Sequence, residues 1–202
     1  MGAEPRRVVL ATHNAHKVEE LQRMATAARL PVEIVAYDGP EPVEDGVSFA
    51  QNALIKARAA AIHTGLPAVA DDSGICVDVL GGSPGIFSAY WAGQRKDAVA
   101  NLELLLDQLA DIRDPHRAAQ FVSTIALVVP GEGEHTVEGR WPGRLALAPA
   151  GAGGFGYDPI FIPDGQRPGA ERTVGEWSPA EKDAASHRAR AFDALVPLLA
   201  AL

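Results

Sequence analysis

The chain has 202 residues and a mass of 21.2 kDa, so a folded monomer would expose roughly 9,000 Å² against roughly 31,000 Å² when extended, enough for one sizeable core. Its 47% hydrophobic and 22% charged residues exclude a long disordered protein, and a formal charge of −8 leaves no basic footprint for duplex nucleic acid. Any anionic ligand must be met locally. No apolar run approaches the ~20 residues of a membrane span and the N-terminus lacks a secretory apolar core, so the expectation is a cytoplasmic protein with neither nucleic-acid nor membrane partner. Cys76, the lone cysteine, excludes an internal disulfide and a Cys-rich zinc site, and between Ile75 and Val77 it reads as a buried, inert thiol.

The apolar run Arg7 to Ala11 reads as a buried strand, followed by the loop Thr12 to Lys17 and a helix with Val18, Leu21, Ala25 and Ala28 on one face. Val32 to Ala36 is a second strand, and Asp38 to Asp45, with two prolines, is a loop. Ser48 and Gln51 match a capping box that opens an Ala-rich helix to about Thr64, ended by Gly65 and Pro67. Beyond Asp71-Asp72-Ser73-Gly74, the residues Ile75, Val77 and Val79 alternate as in a strand, and Gly81 to Gly85 is a turn-rich loop. Asp97 to Leu109 has helical spacing, Phe121 to Val129 and His135 to Ala148 form an antiparallel pair across Pro130 to Gly133, and Asp158 to Ile162 reads as a short strand. Ser178 to Glu181 is a second capping box with Pro179 at its first helical position, and a terminal helix runs from near Ser186 towards Leu202. Helices interleaved with strands and a late hairpin predict an α/β fold around a mixed sheet, in one domain of residues 1–202 with two lobes.

Asp71-Asp72-Ser73-Gly74 is the densest chemical candidate, because carboxylates at a strand end suit a hard divalent cation and its activated water; the same residues also suit a hairpin turn. Neighbouring strand side chains point to opposite faces, so the two aspartates should not share a job. Glu44 offers a further carboxylate, or belongs to a solvated acidic loop. The strand-to-helix loop Thr12-His13-Asn14-Ala15-His16-Lys17 places backbone N–H groups and an ammonium where a phosphate would bind; the plainer reading is Asn14 as N-cap with a surface lysine. Of eighteen basic residues only Lys17, Lys56, Lys96 and Lys182 are lysines. Asn52 and Lys56 share a helical face that solvation explains as well as function does.

Gly151 to Gly156 contains G-x-G-x-x-G, yet Tyr157-Asp158-Pro159-Ile160 follows and not a helix, which argues against a dinucleotide fingerprint. A glycine-rich approach loop with Phe155 or Tyr157 as a platform for a nucleobase fits better, against a loose surface linker as the plain alternative. Lys182, His187 and Arg188 gather donors near helix starts.

In this order, Ala11 to Lys17, Phe49 to Ala53, Ala70 to Gly74, Gly81 to Gly85, Gly154 to Pro159 and Ser186-His187-Arg188 resemble the inosine triphosphate pyrophosphatase family, the RdgB-like group, over nearly the whole chain. The resemblance implies hydrolysis of the non-standard purine nucleoside triphosphates ITP, dITP and XTP to monophosphate and pyrophosphate with Mg²⁺. It also implies a homodimer of two-lobed α/β subunits, each an elongated mixed sheet flanked by helices with a central cleft. Carried over residue by residue, Thr12, His13, Asn14, Ala15, His16 and Lys17 become the triphosphate loop, Asp72 the proton acceptor and a metal ligand with Glu44, and Ser73 a substrate contact. Phe155, Gly156, Tyr157, Asp158, Lys182, His187 and Arg188 fall on nucleotide and base contacts, and Lys56 on a cleft lysine. Two departures stand out: Gln51 occupies a position commonly Glu in that family, and Ser88-Ala89-Tyr90 replaces a Ser-Ala-Arg pattern.

Overall fold

A computed structural model describes residues 4–13 and 15–202, the side chains of Ala15, His16 and Glu20 excepted. The strands are β1 (Arg6–Leu10), β2 (Val32–Ala36), β3 (Ala68–Val77), β4 (Ala118–Val129), β5 (Gly133–Leu145) and β6 (Phe161–Pro163). The helices are α1 (Ala15–Ala27), α2 (Phe49–Thr64), α3 (Ala98–Gln108), α4 (Pro179–Ala185) and α5 (His187–Ala200). Among the described residues the strands form one sheet in the order β2-β1-β3-β4-β5-β6. It is mixed, as predicted: β1 runs parallel to β2 and β3, whereas β5 and β6 are antiparallel.

The chain divides into two compact units, one of Met1–Asp72, Thr124–Glu138 and Ala191–Leu202, the other of Ser73–Ser123 and Gly139–Arg190. In the first, alternation along each strand sends side chains to two separate cores. Val8, Leu10, Val69, Ile125, Leu127 and Val129 pack with Leu21 and Ala25 of α1 and Phe192, Leu195 and Leu199 of α5. Val9, Ala68, Ala70, Ala126 and Val128 face the opposite way, onto Ala53, Ala57, Ala60 and Ala61 of α2. That alanine stripe recurs at helical spacing, and its small side chains let α2 lie close on the sheet.

The second unit has one core, in which Leu102 and Leu105 of α3 meet Ile75, Phe121, Trp141, Ile160 and Phe161. Asp97 caps α3, its carboxylate accepting from the N–H groups of Val99 and Ala100. Arg117 is buried in that core and donates to the carbonyls of Leu109, Ile112, Leu145 and Ala146 at 2.8–3.0 Å. Among the described residues no helix is long and apolar enough to cross a membrane.

Four local expectations are corrected. Asp71 to Gly74 is no turn: it lies inside β3, a strand placed between β1 and β4 in the sheet, and that tertiary setting outweighs the turn preference of Asp, Ser and Gly. Val79 leaves the strand for a 3₁₀ turn, Asp78–Leu80, and is exposed. Asp158–Ile160 is likewise a 3₁₀ turn with Pro159 in its first positions, and only Phe161–Pro163 pairs as β6. Cys76 is half-buried, because its neighbours Ile75 and Val77 take the core face of β3. Gly74 is a glycine for a packing reason: a Cβ there would run into the carbonyl of Gly85 and the hydroxyl of Ser88.

Candidate active site

In the first unit, chemistry gathers at the C-terminal end of β1 and in the middle of β3, beside α2 and the acidic loop before it. Lys17 Nζ lies 3.1 Å from Asp71 Oδ1. Lys56 Nζ lies 3.3 Å from Asp72 Oδ1 and 3.3 Å from Glu44 Oε2, so one ammonium bridges two carboxylates. Asn52 Nδ2 donates to the other oxygen of Asp72 at 3.2 Å. The two aspartates therefore have separate partners, as strand alternation requires. Burial pushes the Asp72 carboxyl above its ordinary value; the Lys56 ammonium opposes this, Glu44 adds to it, and the Asn52 and Lys56 hydrogen bonds pull back.

His13 closes one side of this region. Its Nε2 is 2.9 Å from the Gly39 carbonyl, its Nδ1 is 3.4 Å from Glu41, and its ring stacks on Tyr37 with centroids 5.8 Å apart. The Tyr37 hydroxyl in turn donates to the Pro40 carbonyl at 2.9 Å. A cavity of about 180 Å³ results, lined by Thr12, His13, Lys17, Glu44, Lys56 and Asp71 among others. Asn14 lies outside the described residues, as do the side chains of Ala15 and His16, so the triphosphate loop is seen here through Thr12, His13 and Lys17.

The Ser48 hydroxyl caps α2 by accepting from the Gln51 N–H at 3.2 Å, as predicted. The Gln51 side chain, however, accepts from Val47 at 2.8 Å, one residue earlier than a capping box requires. It therefore grips the acidic loop. Of the two readings of the polar face of α2, solvation does not fit: Asn52 is buried and the Lys56 side chain is only 16% exposed. Sequence reasoning considered Asp71 and Asn52 but assigned neither a role, and it passed over Tyr37; for Asn52 the usable signal was a polar residue immediately before the alanine stripe of α2.

The second unit holds the remaining predicted residues. Asp158 is 2% exposed, and its Oδ2 accepts from the Phe155 N–H at 2.8 Å and from Lys182 Nζ at 2.5 Å. The same ammonium sits 4.1 Å from the centroid of the Phe155 ring. The structure separates the two aromatic candidates. Phe155 is 69% exposed, whereas Tyr157 is buried with its hydroxyl donating to the Ser88 carbonyl at 2.9 Å. Burial raises the Tyr157 phenol well above its ordinary range, so it stays a neutral donor.

The glycine-rich loop is fastened and is no loose linker. Gly153 N–H bonds the Gly175 carbonyl at 2.8 Å, Ala150 N–H bonds that of Pro159 at 2.8 Å, and the Thr173 hydroxyl donates to Ala150 at 2.7 Å. Gly151 and Gly154 have φ of +79° and +73°, and a Cβ would strike the Gly175 backbone at the first and the Asp158 carboxylate at the second. Gly156, also at positive φ, follows Phe155 directly.

Ser178 and Glu181 form the predicted reciprocal box at α4, and the Ser178 N–H, with Arg172, holds the Glu181 carboxyl down at about 2. Ser186 ends α4 and accepts from the Ala189 N–H at 3.2 Å, which places His187 and Arg188 in the first turn of α5. The His187 ring is buried and stacks on Phe121 at 4.9 Å. Arg188 Nη2 reaches Ser73 Oγ at 3.5 Å.

The Ham1 family model matches residues 8–198 of this sequence. The chain belongs to the Ham1 family. A relative from Leifsonia xyli named dITP/XTP pyrophosphatase is 62% identical over 197 residues, covering 97% of this chain and 96% of its own. The solved structure of a HAM1 protein from Coxiella burnetii superposes with a TM-score of 0.87 at 37% identity, over 98% of this chain and 100% of that one. A nucleoside-triphosphatase / dITP/XTP pyrophosphatase from Mycobacterium abscessus superposes with a TM-score of 0.81 at 50% identity, over 96% and 99%. The resemblance carried by the six ordered motifs is thereby borne out, and so is the α/β fold with a mixed, helix-flanked sheet that Ham1 family structures share.

The donor set near Glu44 and Asp72 suits a hard cation. Both are carboxylates, and both already accept a positive charge from Lys56. Among the described residues there is no cluster of three or more acidic, His or Cys side chains that could hold a metal alone. Mg²⁺ typically uses one or two carboxylates and completes its shell with waters and substrate phosphates, so this pair fits it.

Proposed function

We propose that this Ham1 family member is a nucleoside triphosphate pyrophosphatase that hydrolyses ITP, dITP and XTP to the monophosphate and pyrophosphate. The observation that carries the reading is the pairing of Asp72 with Asn52 and Lys56, beside a cavity lined by Thr12, Lys17, Glu44 and Lys56. The names of the Leifsonia xyli and Mycobacterium abscessus relatives support it. A triphosphate brings several negative charges to a protein of net charge −8. Ammonium groups on Lys17 and Lys56, with N–H groups at the start of α1, gather it locally.

Asp72 is the proton acceptor in this reading. Its raised proton affinity brings a carboxylate closer to the range useful for a general base. Water deprotonated there attacks the α-phosphorus, the bond between the α-phosphorus and the bridging oxygen breaks, and pyrophosphate leaves with that electron pair. Lys17 and Lys56 stabilise the charge that accumulates on the phosphates. Glu44 and Asp72 would hold Mg²⁺, which when bound supplies charge neutralisation on phosphate oxygens.

Base recognition in this reading belongs to Phe155, His187 and Arg188, positions that the family resemblance places on base contacts. Phe155 offers an exposed ring for stacking, and its N–H group is held by Asp158, which Lys182 in turn holds. His187 and Arg188, at the start of α5, supply donors to the 6-oxo group shared by hypoxanthine and xanthine, whereas adenine presents a 6-amino group there. Donor set against donor leaves buried groups unpaired at roughly 1–3 kcal/mol each, so two mismatches disfavour ATP by on the order of a hundredfold. The protein acts as a cytoplasmic homodimer in this proposal.

A pyrophosphate-release panel tests it. ITP, dITP and XTP should be turned over in Mg²⁺, ATP poorly; equal rates on all triphosphates, or none on ITP, would refute the assignment.

A further inference from the structure

Asn52 is 3% exposed and bridges two parts of the candidate site. Its Nδ2 donates to Asp72 Oδ2 at 3.2 Å, while its Oδ1 accepts the Gly46 N–H at 2.9 Å. Gly46 stands two residues after Glu44 and one before Val47, whose N–H is taken by Gln51 at 2.8 Å. Neighbouring amides in the first turn of α2 thus grip the acidic loop, and one of them also holds the β3 carboxylate. The chemistry of the position calls for an amide: the carboxylate needs a donor and the N–H needs an acceptor, and Asp, Leu or Lys cannot supply both. Gly46 is matched to it, since a Cβ there would lie 2.6 Å from Asn52 Oδ1 and 2.7 Å from the Gln51 Cβ.

We propose that Asn52 is a positioning residue, whose amide fixes the Oδ2 side of Asp72 and ties the Glu44 loop to the same point. Lys56 pulls on Asp72 Oδ1 and on Glu44. With Oδ2 held by Asn52, the carboxylate cannot rotate about its own axis to follow that ammonium when substrate phosphates compete for it. The inference rests on reading Asp72 as the proton acceptor, and it goes beyond that reading by naming what orients the acceptor.

Asn52→Asp is the decisive variant, because it keeps the shape and the acceptor for Gly46 but sets a carboxylate against Asp72. Turnover of ITP should fall about 10- to 100-fold, with KM within about threefold, since the amide touches the base and not the phosphates. Gly46→Ala, which crowds the same amide from the loop side, should lower kcat in the same sense.

A second readout needs neither metal nor substrate. In metal-free protein Asn52→Asp should lower the melting midpoint, and Asn52→Asp combined with Asp72→Asn, which restores an acid–amide pair, should melt higher than the sum of the two single shifts predicts. A double variant whose shift equals the sum of the two single shifts would show that the two side chains are not coupled, and a folded Asn52→Asp with wild-type kcat would overturn the positioning role. Asp72→Asn alone separates the two ideas: if it remains active, the reading of Asp72 fails; if it is inactive while Asn52→Asp is unimpaired, only the inference about Asn52 falls.

Discussion

Lys182→Met isolates the ion pair beneath the exposed Phe155 ring. Asp158 is 2% exposed and its Oδ2 has two donors, the Lys182 ammonium at 2.5 Å and the Phe155 N–H at 2.8 Å. Methionine keeps most of the aliphatic stem but removes the charge, which leaves a buried carboxylate on a single backbone donor. Breaking a buried pair from one side costs about 3–5 kcal/mol, because the remaining charge keeps its desolvation penalty. For a chain of this length each kcal/mol moves the melting midpoint by roughly 2–4 °C, so the loss should be about 6–20 °C. Adding Asp158→Asn removes the stranded charge, and the double variant should regain most of the loss, as replacement of both members of a buried pair is often near neutral. Calorimetry of the four proteins at neutral pH completes the cycle. A Lys182→Met protein that melts within about 2 °C of the parent, with a double variant no more stable than the single, would refute the view that this pair holds the loop.

Asp72→Asn should cost a hundredfold or more in ITP turnover, on the order expected for loss of a general base, in steady-state assays with saturating Mg²⁺. The same variant should melt higher than the parent in metal-free buffer at neutral pH. Burial raises the Asp72 carboxyl in the folded state, so its stabilising contribution is present below the unfolded value near about 4 and is lost as pH rises through the folded value. The melting advantage of Asp72→Asn should therefore close on acidification, and an advantage that grew instead would reverse the sign of the argument. Arg188→Ala should lower kcat/KM for ITP far more than for ATP, compressing their ratio; equal losses would show that the guanidinium serves the phosphates and not the base.

Much of the fold is readable from periodicity. Continuous apolar runs mark β1 and β4, which are buried on both faces, alternation marks β2, and the 3.6-residue repeat marks α1, α2 and α3, although Ala28, expected on the face of α1, lies beyond that helix and is exposed. Tertiary context decides the rest. Asp71-Asp72-Ser73-Gly74 has turn chemistry locally but extends as part of β3, which the sheet order places between β1 and β4, a setting that distant parts of the chain provide. Pro159 and the fastened glycine loop shorten the expected strand at Asp158 to a 3₁₀ turn followed by β6.

At the site, the charged residues Glu44, Lys56 and Asp72 were legible through the resemblance of the ordered motifs to a known family; spacing alone showed only that Asn52 and Lys56 share a face and that Asp71 and Asp72 point opposite ways. The neutral ones were not. Asn52 works through a hydrogen bond to a carboxylate 20 residues away and to a loop N–H, contacts that exist only once α2 lies on the sheet. Tyr157 and Phe155 look alike as stacking candidates in sequence, and only burial of the first and exposure of the second tells them apart.

The central claim is the bond that breaks, and the products of a single ITP incubation with Mg²⁺ test it most directly. Attack at the α-phosphorus, with Asp72 as proton acceptor and pyrophosphate as leaving group, predicts IMP and pyrophosphate in equal amounts by anion-exchange chromatography, with no IDP at any time point. IDP and orthophosphate as the primary products would place attack at the γ-phosphorus and contradict the account.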